Sequence, residues 1–329
     1  MKIGLLGAGH LGKIHLKCLL ATDCWELAGF YEPNAQNAQA AAAQFGVRHF
    51  RSLPQLLDAV DAVDIVTPTP THYALARKAL LAGKHVFLEK PVTQTVPEAK
   101  RLLQLAEQQG LTVQVGHVER FNPAFTALQG LNLRPMFIEG HRLAAFQPRG
   151  TDVSVILDLM IHDLDLVLHL VQSPVRKVSA SGVAVLSHTP DIANARIEFA
   201  NGCVANLTAS RISMKQMRKM RLFQADHYLS LDFLEKNAQI VRLFEQDAPN
   251  LPPSEQLMEF ETQAGKKWLH MQMPEAAPVN AIQRELETFH TAISQKSRPV
   301  VSLSDGYEAL KLAHRILREI DLRKKEYSG

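Results

Sequence analysis

An α/β fold in two parts is what this sequence predicts: a doubly wound parallel sheet first, then an α+β domain on a mostly antiparallel open sheet. Three observations carry that expectation. Short apolar runs alternate with helical patterns over residues 1–116, a glycine-rich turn follows the first of those runs, and beyond 119 strand-like runs succeed one another with little helix between. With 329 residues, 46% of them hydrophobic and 21% charged, the chain can bury the cores of two ordinary globular domains.

The first run, Ile3-Gly4-Leu5-Leu6, leads into Gly7-Ala8-Gly9-His10-Leu11-Gly12. A G-x-G-x-x-G turn between strand and helix is a dinucleotide fingerprint. Gly7 permits the turn, Gly9 lets backbone approach a pyrophosphate, and Gly12 allows close helix–strand packing. His10 and Leu11 open a helix over 11–20 whose first amides face an anion. A second strand, 25–31, ends at Glu32, the roughly 20-residue offset of the acid that holds a ribose 2′-hydroxyl. Glu32 repels a 2′-phosphate and no Arg follows it closely, which favours NAD over NADP.

The following segments alternate as a parallel sheet requires. Ala35–Phe45 is helical, 47–50 is a short strand, 53–60 is helical, and 62–66 is a buried strand ending at Thr67-Pro68-Thr69-Pro70-Thr71-His72. Such a loop at a strand's carboxyl end lines the ligand crevice of open α/β sheets, so Thr67, Pro68, Thr69 and His72 are cofactor candidates. A helix over 73–82 and a strand over 85–88 precede Glu89-Lys90-Pro91; a helix over 97–109 and a strand over 111–115 close the sheet. The boundary falls between 116 and 119: residues 1–118 form a dinucleotide-binding domain, and 119–329 a substrate and oligomerisation domain.

In the second domain, a strand over 136–144 and a long helix over 154–171 precede six strand candidates (177–185, 193–199, 203–212, 221–224, 228–233 and 239–243). Residues 247–254 form a proline-rich loop of no evident purpose. Helices over 280–294 and 304–323 end the chain, with Asp305 in the first turn of the last, where a carboxylate suits the dipole.

Several function classes are excluded. A formal charge of +3 is too small to argue for nucleic acid. Cys18, Cys24 and Cys203 lack metal-site spacing and fit free thiols in a reducing cytoplasm. The chain opens directly on its first strand without a leader pattern, and its longest apolar stretch, 153–171, is broken by Asp158, His162, Asp163, Asp165 and His169, so no membrane span is expected.

Candidate chemistry gathers in four places. Glu89 and Lys90 follow a strand at the carboxyl edge of the first sheet; Lys90 is either a proton relay and charged clamp or a surface lysine in a βα loop. Asp158, His162, Asp165 and His169 recur at spacings of four, three and four, which puts them on one helical stripe. Metal ligands, a hydrogen-bonded ladder, and an acid–base group built on His162 and its carboxylates all remain open for it. Gly116-His117-Val118-Glu119-Arg120-Phe121-Asn122-Pro123 leaves the last sheet strand, so His117, Arg120 and Asn122 are expected to line a cleft. Arg142, Arg149, Arg211 and the run Lys215, Arg218, Lys219 and Arg221 either solvate a face or hold a diphosphate or carboxylate.

G-x-G-x-x-G, then Glu89-Lys90-Pro91, then Asp158-x-x-x-His162, in that order, resembles the Gfo/Idh/MocA oxidoreductases over the whole chain. The resemblance implies a Rossmann domain, a C-terminal domain whose open sheet forms a homodimer or homotetramer interface, and catalysis by Lys90, Asp158 and His162, with no metal. Where many members have glycines around that aspartate, this chain has Asp152-Val153-Ser154 and Met160. The 116–123 segment is similar to the branch that dehydrogenates UDP-N-acetylglucosamine at its 3-hydroxyl. The resulting expectation is a cytoplasmic, NAD-dependent dehydrogenase of a sugar or nucleotide sugar. His162 is the base, Lys90 clamps the hydroxyl oxygen and Asp158 orients the imidazole. An inositol or hexose dehydrogenase and a non-catalytic NAD-binding sensor are the alternatives.

Overall fold

The computed structural model describes residues 1–146, 153–248, 250–263, 265–274 and 279–327, without the side chains of 324–327. Its contacts divide it into two compact units, Met1–Phe121 with Val279–Lys311, and Asn122–Pro278 with Leu312–Gly329.

In the first unit, five parallel strands, β1 (Lys2–Leu6), β2 (Glu26–Tyr31), β3 (Ala62–Ile65), β4 (His85–Glu89) and β5 (Val113–Gly116), lie in the order β2-β1-β3-β4-β5. Helices α1 (His10–Leu20), α2 (Ala35–Phe45), α3 (Leu53–Asp58), α4 (His72–Leu81) and α5 (Val96–Gln109) make the crossovers. The order reverses between β1 and β3, which opens the ligand crevice at the carboxyl ends of those two strands. Local chemistry fixes the helix ends. Asn34 accepts the Asn37 amide at the start of α2, and Thr95 and Glu98 form a capping box on α5. Gly46 and Gly110, at φ +64° each, end the same two helices. The strand expected over 47–50 reduces to a Phe30–His49 bridge. Gly29 explains this, because a Cβ there would lie 2.4 Å from the Arg48 carbonyl, so the passing chain is too close to extend a regular ladder.

The second unit opens with α6 (Pro123–Thr126) and β6 (Phe137–Leu143). The helix expected over 154–171 is two windings: a π turn over Ile156–Met160, then α7 (Ile161–Val171). Eight more strands follow: β7 (Val175–Val183), β8 (Ile192–Phe199), β9 (Val204–Ser210), β10 (Met217–Phe223), β11 (His227–Asp232), β12 (Asn237–Glu245), β13 (Leu257–Thr262) and β14 (Gly265–Gln272). With β6 they build a nine-stranded sheet in which only the β6–β9 pair is parallel. β8 and β9 alternate exposed or half-buried with buried positions, and the buried set (Ala193, Ala195, Ile197, Ala205, Leu207) packs with Leu164 and Val167 of α7. Sequence reading passes over β13 and β14, since β13 has no buried residue and β14 only His270. The basic run lies on the exposed face, where Lys219 meets Asp232 at 3.1 Å and Arg221 meets Glu139 at 3.3 Å.

The chain then returns to the first unit, which a sequential division at 118/119 does not anticipate. In α8 (Ala281–Ser294), Leu286 and Phe289 are 0% exposed and pack with Leu16, Leu19 and Phe87. Burying each such side chain contributes about 1.5–3 kcal/mol. The Val115 amide donates to the Val301 carbonyl, extending the β5 edge. In α9 (Leu303–Tyr327), Ile316 and Ile320 belong to the core of the second unit. Among the described residues no helix is long and apolar enough to cross a membrane.

Candidate active site

At the β1 end, Gly7 turns with φ +94°, and a Cβ on Gly12 would lie 2.0 Å from the Gly7 carbonyl oxygen. Only glycine fits either position. A Cβ on Gly9, by contrast, would meet nothing within 4 Å, so the backbone there is open to an approaching group. Gly9 caps α1, whose first amides, His10 and Leu11 among them, have no intrahelical acceptor. Glu32 spans the turn: Oε2 accepts from the Ala8 amide and Oε1 from the Asn34 amide, both at 2.8 Å. The carboxylate is thereby anchored at the end of β2, where a ribose acid must stand. These features fit a dinucleotide.

The Thr67 loop is braced from within. Thr71 Oγ1 donates to the Pro68 carbonyl at 2.8 Å and lies 2.7 Å from the Thr67 hydroxyl. His72, 1% exposed, lies between two carbonyls, with Nε2 2.8 Å from Thr67 O and Nδ1 2.9 Å from Pro91 O. Burial pushes its pKa below the ordinary value, despite those two carbonyls. His72 therefore clamps the Thr67 loop to the Pro91 turn from beneath, correcting its expected place among the cofactor contacts. Thr67 and Thr69 remain half-buried and Pro68 exposed on the loop itself.

Lys90 follows β4, half-buried, and is joined to Pro91 by a cis peptide bond. Glu89, also expected at the cofactor, instead turns inward: it is 7% exposed and lies 3.4 Å from His15 Nε2. Glu89 is the last residue of β4 and its side chain is taken up by the His15 side of the sheet. After β5, His117 and Arg120 are buried in a tight turn in which the Arg120 amide donates to the His117 carbonyl at 3.0 Å.

In the second unit, Asp158 sits in the π turn and His162 in the first turn of α7, both half-buried. Exposure varies along the stripe. Asp165 is 1% exposed, whereas His169 is exposed and packs on the Phe125 ring at 5.9 Å. Asn122 caps α6, accepting the Ala124 amide and donating to Phe233 O, both at 3.0 Å. Two arginines expected at a diphosphate are given to carboxylates. Arg142 pairs bidentately with Asp163. Arg211 donates to Asp191 (2.8 Å), Val153 O (2.6 Å), Ser187 Oγ (3.0 Å) and Thr189 Oγ1 (2.8 Å). A buried guanidinium must be paired within the fold, and that need redirects both. Arg149 lies outside the described residues.

Sequence reading overlooks His15, Asp64 and Glu285, which meet behind Glu89. Asp64 inside the apolar run 62–66 and His15 on the buried face of α1 are the available signals.

The model for an oxidoreductase family with an NAD-binding Rossmann fold matches residues 1–117, and that for the GFO/IDH/MocA C-terminal domain matches 136–224. The chain belongs to the Gfo/Idh/MocA oxidoreductase family. As a member it is an NAD-binding dehydrogenase, and the Gly7–Gly12 turn with Glu32 has the geometry to hold that cofactor. It is 42% identical over 253 residues to the UDP-N-acetylglucosamine 3-dehydrogenase of Acidithiobacillus ferrooxidans, covering 77% of this chain and 80% of the relative. A solved structure of that enzyme superposes with a TM-score of 0.87 at 36% identity, covering 98% of both chains. The scyllo-inositol 2-dehydrogenase (NAD(+)) of Bacillus subtilis is 29% identical over 65% of this chain and 68% of its own.

Proposed function

We propose that this Gfo/Idh/MocA protein oxidises the 3-hydroxyl of UDP-N-acetylglucosamine. The observation that carries the reading is the 42% identity to an enzyme of that name over 77% of the chain. Bound NAD supplies the hydride acceptor. The chain's own residues do the rest. Lys90 hydrogen-bonds the reacting oxygen and steadies its developing negative charge. His162 takes the hydroxyl proton, and Asp158, four residues earlier, orients the imidazole and stabilises its cation. Gly9 and the opening amides of α1 bind the pyrophosphate, and Glu32 holds the ribose. Among the remaining substrate candidates, His117 and Arg120 follow β5 at the carboxyl edge of the sheet, and they are the ones we retain. The reading extends to a cytoplasmic homo-oligomer formed through the nine-stranded sheet. Exposed Phe260, Met258 and Met271 on β13 and β14 support the interface, and three free cysteines support a reducing compartment.

The test is NADH production by the purified protein over UDP-N-acetylglucosamine, other nucleotide sugars, inositols and free hexoses. Turnover with UDP-N-acetylglucosamine far above the rest is expected. Preference for an inositol would replace the substrate, and silence throughout with NAD still bound would replace the enzyme by a sensor.

A further inference from the structure

Four ionisable side chains from four elements meet beneath the Glu89-Lys90-Pro91 turn: His15 of α1, Asp64 of β3, Glu89 of β4 and Glu285 of α8. His15, Asp64 and Glu285 are 0% exposed. Asp64 Oδ2 lies 2.9 Å from His15 Nδ1, and His15 Nε2 lies 3.4 Å from Glu89 Oε1. The other Glu89 oxygen accepts the Lys90 backbone N–H at 3.1 Å. Glu285 enters last. Ligating atoms of His15, Glu89 and Glu285 fall within 4.8 Å of one another, yet among the described residues neither Glu285 oxygen has a hydrogen-bond partner.

Three carboxylates around one imidazolium leave excess negative charge in a site closed to water, which is costly. Either a cation or a proton resolves it. A cation needs a lone pair on His15 Nε2, but that nitrogen, though without a hydrogen bond, lies 3.4 Å from Glu89 Oε1, and the two carboxylates at either end of the ring favour the doubly protonated imidazolium, which has no lone pair to give. That leaves the proton. Resting on the role proposed above for Lys90, we infer that Glu285 is a neutral carboxylic acid packed against the buried His15–Glu89 pair, and that this cluster positions Lys90. The groups facing Glu285 agree: His15 and the Cys18 thiol from α1, Asp64 from β3, Glu89 from β4, and uncharged Gln114 from β5, whose Nε2 donates to the Glu285 backbone carbonyl. Burial, then the Glu89 charge, holds the Glu285 carboxyl well above its ordinary value. Burial alone would lower the His15 value, but Asp64 and Glu89 outweigh it and keep the ring protonated. Glu89 is buried too, yet His15 and then Lys90 hold it ionised.

The experiment is thermal unfolding of wild type and Glu285→Gln from pH 4.5 to 8.5. An unfolded Glu ionises near pH 4.3, so above that pH the wild type loses stability as pH rises, until the folded carboxyl itself ionises. Gln carries no such penalty. Glu285→Gln is expected to melt about 3 °C above wild type at pH 8, with the gap closing toward pH 4.5. A variant less stable at pH 8, or one stoichiometric divalent cation in the purified wild type, overturns the inference. Positioning is read with His15→Gln, expected to lower kcat about tenfold while the KM for NAD stays within about twofold; a folded variant with unchanged kcat removes the positioning role. Should His15→Gln not fold, the pH profile of Glu285→Gln decides. An unchanged profile supports a neutral Glu285, and a profile shifted to lower pH opposes it. If the substrate reading fails, wild type is silent on the sugar while the unfolding comparison still stands.

Discussion

Arg142 and Asp163 meet through two parallel contacts, Nε to Oδ2 at 3.0 Å and Nη2 to Oδ1 at 2.7 Å, with both side chains buried. The pair ties β6 to the first turn of α7, one residue beyond His162. Its Coulomb gain is largely offset by desolvation, so its value lies in geometry more than in net stability. Removing one partner is another matter, because the other charge is then stranded. Asp163→Ala is expected to lose about 3–5 kcal/mol in urea unfolding. The joint replacement Arg142→Met with Asp163→Leu should recover most of it. A fully stable Asp163→Ala would show that the pair is open to water.

Gly12→Ala places a methyl group 2.0 Å from the Gly7 carbonyl oxygen, in backbone that cannot move aside. NAD affinity should fall by about tenfold or more, since the turn and the α1 amides shift together. NAD titration by fluorescence measures it. Gly9→Ala meets no protein atom, so any loss of NAD affinity in that variant reports the cofactor's own closeness.

Glu32→Ser removes the anion proposed to hold the ribose and repel a 2′-phosphate. The KM for NAD should rise about tenfold or more and NADP should become a usable cofactor. Unchanged discrimination would place the ribose elsewhere.

Lys90→Ala and His162→Ala should each lower kcat by about 10²–10⁴-fold while NAD binding persists. His169→Ala is the internal control: it shares the helix but packs on Phe125, and its turnover should match wild type. Full activity in either of the first two variants removes that residue from the mechanism.

Asp191 links acid stability to the Arg211 network. Burial raises its pKa, but hydrogen bonds from the Leu186 and Val185 amides, Arg211 and Ser187 prevail and hold it well below the usual carboxylate range. The stability it contributes is therefore present above the unfolded carboxyl value, near pH 3.9, and is lost as pH falls toward the folded value. Asp191→Asn should be less stable than wild type at pH 7, with the difference shrinking below pH 4.

The first unit was legible because its signals are local. Gly7, Gly9 and Gly12 answer to backbone geometry, Glu32 to a set distance along the chain, and the apolar runs β1, β3 and β4 to burial on both faces. In the second unit, strands with one buried face, such as β8 and β9, showed their alternation. β13 and β14 did not, because they bury almost nothing. The π turn at Asp158 was invisible for a related reason: its residues are as compatible with ordinary helix.

By itself, then, the order of residues determined the family and the NAD cofactor, and it put forward the glycine turn and the lysine, aspartate and histidine that the proposal uses. Tertiary structure alone decided what the remaining polar residues do. Arg142, Arg211, Asn122, Glu89 and His72 all carry groups that suit a ligand, and each is engaged inside the fold. The reason is that a buried charge or donor must find a partner, and the partners, Asp163, Asp191, Phe233, His15 and Pro91, lie 19 to 111 residues away in the chain. No local pattern records separations of that kind.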